Sequence, residues 1–122
     1  MVGNGTIICY ISKPGSIKFF CKDECAAEDI LIKTEEVTAQ RGRYSTTYRQ
    51  ESSGRGVLSV TITHLTKSDS GRYRCGLGRE LVPDKYTDFE VRVVDGEFLL
   101  KVIKPDICIH LTNLVFFFKV CD

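Results

Sequence analysis

The stretch "DSGRYRC" at 69–75 decides the fold. Tyr73 stands two residues before Cys75. That is the spacing of a tyrosine corner, in which the phenol hydroxyl bonds back to the main chain a few residues upstream. The run before it, "VLSVTITHL" at 57–65, has the cleanest alternation in the chain. Leu58, Val60 and Ile62 lie on one side and Ser59, Thr61 and Thr63 on the other, which is the pattern of a half-buried strand. "KSDSG" turns the chain, and "RYRCG" opens the next strand.

Similar short runs extend in both directions. "TIICYI" (6–11) reads as a buried strand carrying Cys9, and "KPG" (13–15) as a turn. "SIKFFCK" (16–22) and "DILIKT" (29–34) are the next strands, the latter with Ile30 and Ile32 on one face and Leu31 on the other. "RYSTTYRQ" (43–50) is polar but β-prone, which predicts an edge or solvated strand. "ESSGRG" (51–56) is a loop. "YTDFEVRVV" (86–94) closes the domain, with Phe89, Val91 and Val93 on one side. Short alternating runs between turn signals predict an all-β sandwich, and no helical stripe or internal repeat competes with it.

The chain has 122 residues, enough for one domain with its own core. Hydrophobic residues make up 43% and charged residues 27%, the range of a soluble globular chain. The formal net charge is +1, and the basic residues are scattered among acids, so no nucleic-acid partner is expected.

Six cysteines in this length suggest a disulfide framework and a secreted or cell-surface setting. A metal site is the alternative. Cys21 and Cys25 form one close couple, but no second couple exists, and His64 and His110 are far apart. Structural zinc needs more ligands than that, so neither metal nor cofactor is expected. Residues 1–5 carry no charged and apolar leader pattern. Set against the cysteines, this leads to two expectations, a signal peptide already removed or, the favoured one, a 5′ end of the gene that lies outside this sequence.

With these residues in view, 5–94 resembles a V-type immunoglobulin domain. More narrowly, it is similar to the leukocyte mono-Ig-like receptors and the polymeric immunoglobulin receptor, especially their bony-fish relatives. The segments that carry the resemblance are "GTIICYI", "IKFFCKDEC", "DILIKT", "GRYS", "VLSVTITHLTKSDSGRYRCG" and "FEVRVV". It implies that Cys9 and Cys75 bridge the sheets, and that Phe20 stands where the family has Trp. This chain has no Trp. A Phe fills less volume and lacks the indole donor, so a somewhat weaker core is expected. The resemblance further implies a Cys21–Cys25 bond pinning a hairpin, an Arg43–Asp69 ion pair, and structural roles for Gly71 and Tyr73. Arg offers a planar fork that binds a carboxylate at two points.

V-type domains bind through loops at one end of the sandwich. By position, these loops are 12–16, with Lys13, and 77–85, with Arg79, Glu80, Leu81, Val82, Asp84 and Lys85. Charge around a small apolar centre suits a protein or a lipid headgroup. The resemblance therefore implies the ectodomain of a plasma-membrane immune receptor that takes part in signalling. Its ligand would be an immunoglobulin, another surface protein or a phospholipid, and an adaptor or co-receptor would engage segments outside this sequence. The alternatives are a structural or adhesive domain that self-associates, and a truncated receptor fragment without function. No nucleophile–base couple, paired carboxylates or metal motif supports an enzyme. Asn4-Gly5-Thr6 is an N-glycosylation sequon.

The expected division is an immunoglobulin domain over 1–95 and a tail over 96–122. Only five residues precede Thr6, so most of a first strand is expected to be missing and a sheet edge left open. The tail's "PDICIHLTNLVFFFKVCD" reads as lacking alternation. It falls short of the roughly 20 apolar residues of a membrane span. Three readings stand: translated intron or wrong exon, a membrane-proximal fragment, or an extra packed strand or helix.

Overall fold

The computed structural model describes residues 3–11, 17–54, 56–79, 82–94, 97–104, 108–113 and 117–120, with side chains over 3–10, 17–54, 56–78 and 88–94. In chain order the strands are β1 (Gly3–Ile11), β2 (Ile17–Lys22), β3 (Ile30–Thr34), β4 (Thr38–Arg41), β5 (Tyr44–Gln50), β6 (Gly56–Leu65), β7 (Gly71–Arg79) and β8 (Val82–Val94). They are followed by β9 (Glu97–Lys104), β10 (Cys108–Asn113) and β11 (Phe117–Val120). Short 3-10 turns at Ala27–Asp29 and Lys67–Asp69 lead into β3 and β7. One sheet has the order β11-β10-β1-β6-β5-β4 and the other β3-β2-β7-β8-β9. Every pairing is antiparallel. The chain is an all-β, disulfide-bonded sandwich.

The period-2 pattern builds the core. Ile7 and Cys9 of β1 and Leu58, Val60 and Ile62 of β6 are fully buried, as are Phe20, Cys75, Phe89 and Val91 from the opposite sheet. Tyr73 stacks on Phe20 with centroids 5.2 Å apart, and Phe89 completes the group at 6.5 Å from Phe20. The Cys9–Cys75 bond, S–S 2.04 Å, ties the sheets together beside these rings.

Two expectations need correction. First, β5 is an interior strand, because β4 pairs with it at Thr38↔Thr47 through Arg41↔Tyr44. Its even positions turn inward: Thr46 is buried, and Tyr44 and Tyr48 pack against the core. The polar letters of "RYSTTYRQ" hid an amphipathic strand. Second, the faces of β3 do not simply alternate. The register with β2 jumps from Phe20↔Ile32 to Cys21↔Ile30, so Leu31 is the extra residue of a bulge. Ile32 is buried, and Leu31 packs against the core cluster.

After residue 96 the chain adds strands to both sheets. Phe98, Leu100 and Val102 of β9 take the rungs opposite Val93, Val91 and Phe89. Ile109 and Leu111 of β10 face Cys9 and Ile7. β9 and β10 thus line the edges of β8 and β1, one in each sheet. No strand before β1 is seen among the described residues, and β10 holds that side of β1.

Candidate functional site

The two ends of the sandwich differ. At one end, "DSG" leads from the Lys67–Asp69 turn into β7. The Thr66 amide donates to Asp69 Oδ2 at 2.9 Å, completing a capping box. Gly71 has φ +152, in the range that disfavours a side chain. A Cβ there would meet only Lys22 Cε at 3.8 Å, so the backbone and not crowding calls for glycine. The Tyr73 hydroxyl donates to the Asp69 carbonyl, which makes the tyrosine corner. Burial, the largest influence on the Tyr73 phenol, raises its pKa.

Arg43 reaches this corner from the turn before β5. Its NH1 and NH2 donate to Asp69 Oδ2 and Oδ1 at 3.0 and 2.7 Å, and NH1 also donates to the carbonyls of Thr63 and His64. Burial alone would push the Asp69 carboxyl up. The Arg43 hydrogen bonds, the Thr66 amide and the charges of Arg43 and Lys22 outweigh it and hold the carboxyl below its ordinary value. Asp69 therefore adds stability above its unfolded-state pKa of about 4, and that stability is lost as pH falls through the lower folded value.

Arg43→Ala strands a buried carboxylate. Breaking a fully buried pair costs about 3–5 kcal/mol. The Arg43 side chain is 40% exposed, so about 2 kcal/mol is expected here. Urea unfolding across acid pH checks both points: the variant should be weaker at pH 7 and should lose most of the wild type's acid dependence. A wild-type curve kept intact in the variant would refute the role of the pair.

The same end holds the second bond, Cys21–Cys25. Asp23 and Cys25 have φ +52 and +62, and the Asp23 amide donates to the Arg72 carbonyl at 2.9 Å. The bond thus fixes a tight loop against β7. Beside it, Arg74 and Asp88 face each other across β7 and β8. They form a two-point ion pair, Nε–Oδ1 2.6 Å and NH2–Oδ2 3.1 Å, on the outer side of the sheet. Composition alone gave no sign of that pair, although both residues precede core-facing positions.

The other end is the candidate binding end. Ile11 pairs with Gly56 and Ile17 with Gly78, while 12–16 join β1 to β2. Lys18 pairs with Thr34, just before 35–37. The strand ends that bound 12–16, 35–37, 51–55 and 80–81 therefore lie at one end of the sandwich. Lys13, Glu80 and Leu81 lie outside the described residues. Arg79 ends β7 opposite Val82, Pro83 pairs with Gly78, and Lys85 pairs with Leu77 across a bulge. The expected loop 77–85 is thus mostly hairpin, because pairing runs almost to its tip. Leu77 belongs to the core. Asp84 lies within β8.

Sequence reasoning passed over Lys18 and Val37. Lys18 sits two positions before Phe20 on the core-facing side of β2 and is buried. Its ammonium donates to the Glu35 carbonyl at 2.9 Å and lies 4.8 Å over the Tyr48 ring. Burial pushes the Tyr48 phenol up. Gly56 lies against that ring, where a Cβ would come 2.5 Å from the hydroxyl. Strand alternation alone marks Lys18 as inward-facing. Val37 is 61% exposed beside the exposed Glu35 and Glu36. Asn4 is exposed on β1, where its Oδ1 accepts from the His64 amide at 3.4 Å.

Among the described residues no cluster could hold a metal ion, and no helix is long and apolar enough to cross a membrane. Two antiparallel sheets bridged by a disulfide beside a tyrosine corner define an immunoglobulin-like domain. The chain is 32% identical over 102 residues to the polymeric immunoglobulin receptor of Oryctolagus cuniculus, a match that covers 73% of this chain. It spans only 12% of that receptor's length. No protein-family description matches the chain, and no solved structure does. The likeness supports an immunoglobulin-like domain of receptor type.

Proposed function

We propose that the chain is the ligand-binding ectodomain of a cell-surface immune receptor of the V type. Its ligand is a protein or a phospholipid headgroup, held at the end where 12–16, 35–37 and 80–81 emerge. The observation that carries this reading is the convergence of those connections at one end of a sandwich similar to part of a receptor. β3, beside β2 on the sheet with β7 and β8, stands where a variable-type sandwich adds to a constant-type one and supports the V assignment, whereas β4 pairs with β5 in the other sheet. Exposed Val37 with Glu35 and Glu36 beside it gives an apolar centre with a charged rim. The relative is named as a receptor for polymeric immunoglobulin, so an immunoglobulin is the first protein ligand to try. The narrower likeness to bony-fish mono-Ig-like receptors, the signalling role and a glycan on Asn4 belong to the same reading.

Immobilised full chain is tested against purified polymeric immunoglobulin and against vesicles containing phosphatidylserine. The wild type should capture one of them. The triple variant Lys13→Ala, Glu80→Asn, Leu81→Gly should bind at least about tenfold more weakly, about 1.4 kcal/mol, with an unchanged Tm. Unchanged capture by the variant overturns the assignment of the binding end. Capture of neither probe by the wild type overturns the ligand classes.

A further inference from the structure

We propose that Cys25 is a site of reversible thiol–disulfide exchange. A dithiol reductant opens the Cys21–Cys25 bond there and releases the turn between β2 and β3, while Cys9–Cys75 stays closed. The two bonds differ in access. Cys9 and Cys75 are fully buried. Cys25 is half-buried in a turn whose Asp23, Glu24 and Ala26 are exposed. Exchange needs a thiolate to reach a sulfur, so it starts at Cys25 Sγ. The turn is also strained. Asp23 and Cys25 have φ +52 and +62, left-handed backbone that residues other than glycine seldom adopt. An aspartate tolerates it, but a cysteine side chain gains nothing there. Such a residue persists only where its surroundings over-determine it. Here the cystine ring does so, together with the bonds from the Cys25 amide to the Lys22 carbonyl and from the Asp23 amide to the Arg72 carbonyl, at 3.0 and 2.9 Å. Opening the ring lets Cys25 leave the left-handed region, and strained, exposed disulfides are the labile ones.

The fold is prepared for the open form. Cys21 Sγ lies 3.7 Å from the Arg74 carbonyl of β7. A cystine sulfur has no proton to donate and a thiol has one, so that carbonyl becomes a hydrogen-bond partner only after reduction. Little of the stability rests on this bond. It joins residues 4 apart in sequence against 66 for Cys9–Cys75, and the chain-entropy contribution falls with ring size. The same short separation keeps the two thiols together, so the bond closes again within the chain. In the exchange, one thiolate of the reductant bonds to Cys25 Sγ and the Sγ–Sγ bond breaks. Cys21 leaves and takes a proton. The second thiolate then attacks the reductant's own bonded sulfur and displaces Cys25, which takes the other proton. Two electrons and two protons pass to the protein, and the reductant leaves as a disulfide.

The test uses the full chain secreted from a eukaryotic host and held in graded ratios of reduced to oxidised dithiothreitol. It is alkylated while folded, then denatured, reduced, alkylated with a second label and digested with trypsin. Cleavage after Lys18, Lys22 and Lys33 places Cys21 in peptide 19–22 and Cys25 in 23–33, and cleavage after Arg74 and Arg79 places Cys75 in 75–79. Cys21 and Cys25 should take the first label at a ratio at least about a hundredfold below the one that labels Cys75. At that ratio the Asp23 amide should exchange with deuterium at least about tenfold faster, with the amides of β6 unchanged. The double variant Cys21→Ser, Cys25→Ser should fold with Cys9–Cys75 intact and show the same fast Asp23 exchange without reductant. A Cys21–Cys25 bond that stays closed until Cys75 is labelled overturns the proposal. So does an Asp23 amide still protected once Cys25 is labelled, or a double variant that does not fold.

Discussion

Alanine at both Cys9 and Cys75 is expected to lower the free energy of unfolding by about 4 kcal/mol. The two residues are 66 apart in sequence. Tying them removes loop-closure entropy from the unfolded chain, and the chain-entropy argument puts a separation of this size at about 4 kcal/mol. Both cysteines are fully buried, so their loss also removes packed sulfur from the core. Domains of this size have only about 5–15 kcal/mol in total, so the double variant should sit close to unfolding. Urea titration followed by circular dichroism reads this as a shift of the midpoint with little change in native secondary structure. A loss under about 1 kcal/mol would mean that other links already hold the unfolded chain compact, and the bridge would not be the main constraint.

Phe20→Ala should cost about 3–5 kcal/mol, with a value in the upper half of that range. Phe20 is fully buried. It stacks on Tyr73 at 5.2 Å and stands 6.2 Å from Tyr44 and 6.5 Å from Phe89. Its neighbours cannot close in easily. Tyr73 is fixed by its bond to Asp69, and β7 is tied to β1 through Cys75. The vacated volume therefore stays a cavity, and poor relaxation is what makes such losses large. Thermal unfolding of the full chain measures it. A cost near 1 kcal/mol would show that the rings repack, and that the position usually filled by Trp carries less of this core than its burial suggests.

Legibility in the sequence followed the range of the interactions involved. The strand at 57–65, the corner at Tyr73 and the inward row Phe89, Val91, Val93 could all be read because strand alternation and turn chemistry are local. The cysteine pairing could be read only through likeness to a family, since spacing leaves many connectivities open. The polar strand β5 was misjudged because Thr46 and two tyrosines do not look apolar, yet they fill the inward positions. The loop expected over 77–85 shrank because hairpin pairing, not composition, sets where a loop begins.

By itself, the sequence determined an all-β sandwich and the corner at Tyr73, which follow from period-2 apolar rows and a Tyr two before a Cys. The cystine, Phe20 at the core's centre and the Arg43–Asp69 pair were legible only through likeness to a family. Only the tertiary structure decided what lies at the sheet edges. β9 follows β8 across only 95–96, "DG", a local hairpin signal that sequence reasoning passed over. The pairing of β10 with β1 joins residues far apart in the chain, so nothing near 108–113 announces it. The same holds for Lys18, whose charge suggests solvent. It is buried because Tyr48 of β5 and the Glu35 carbonyl of the connection 35–37 replace the water it gives up.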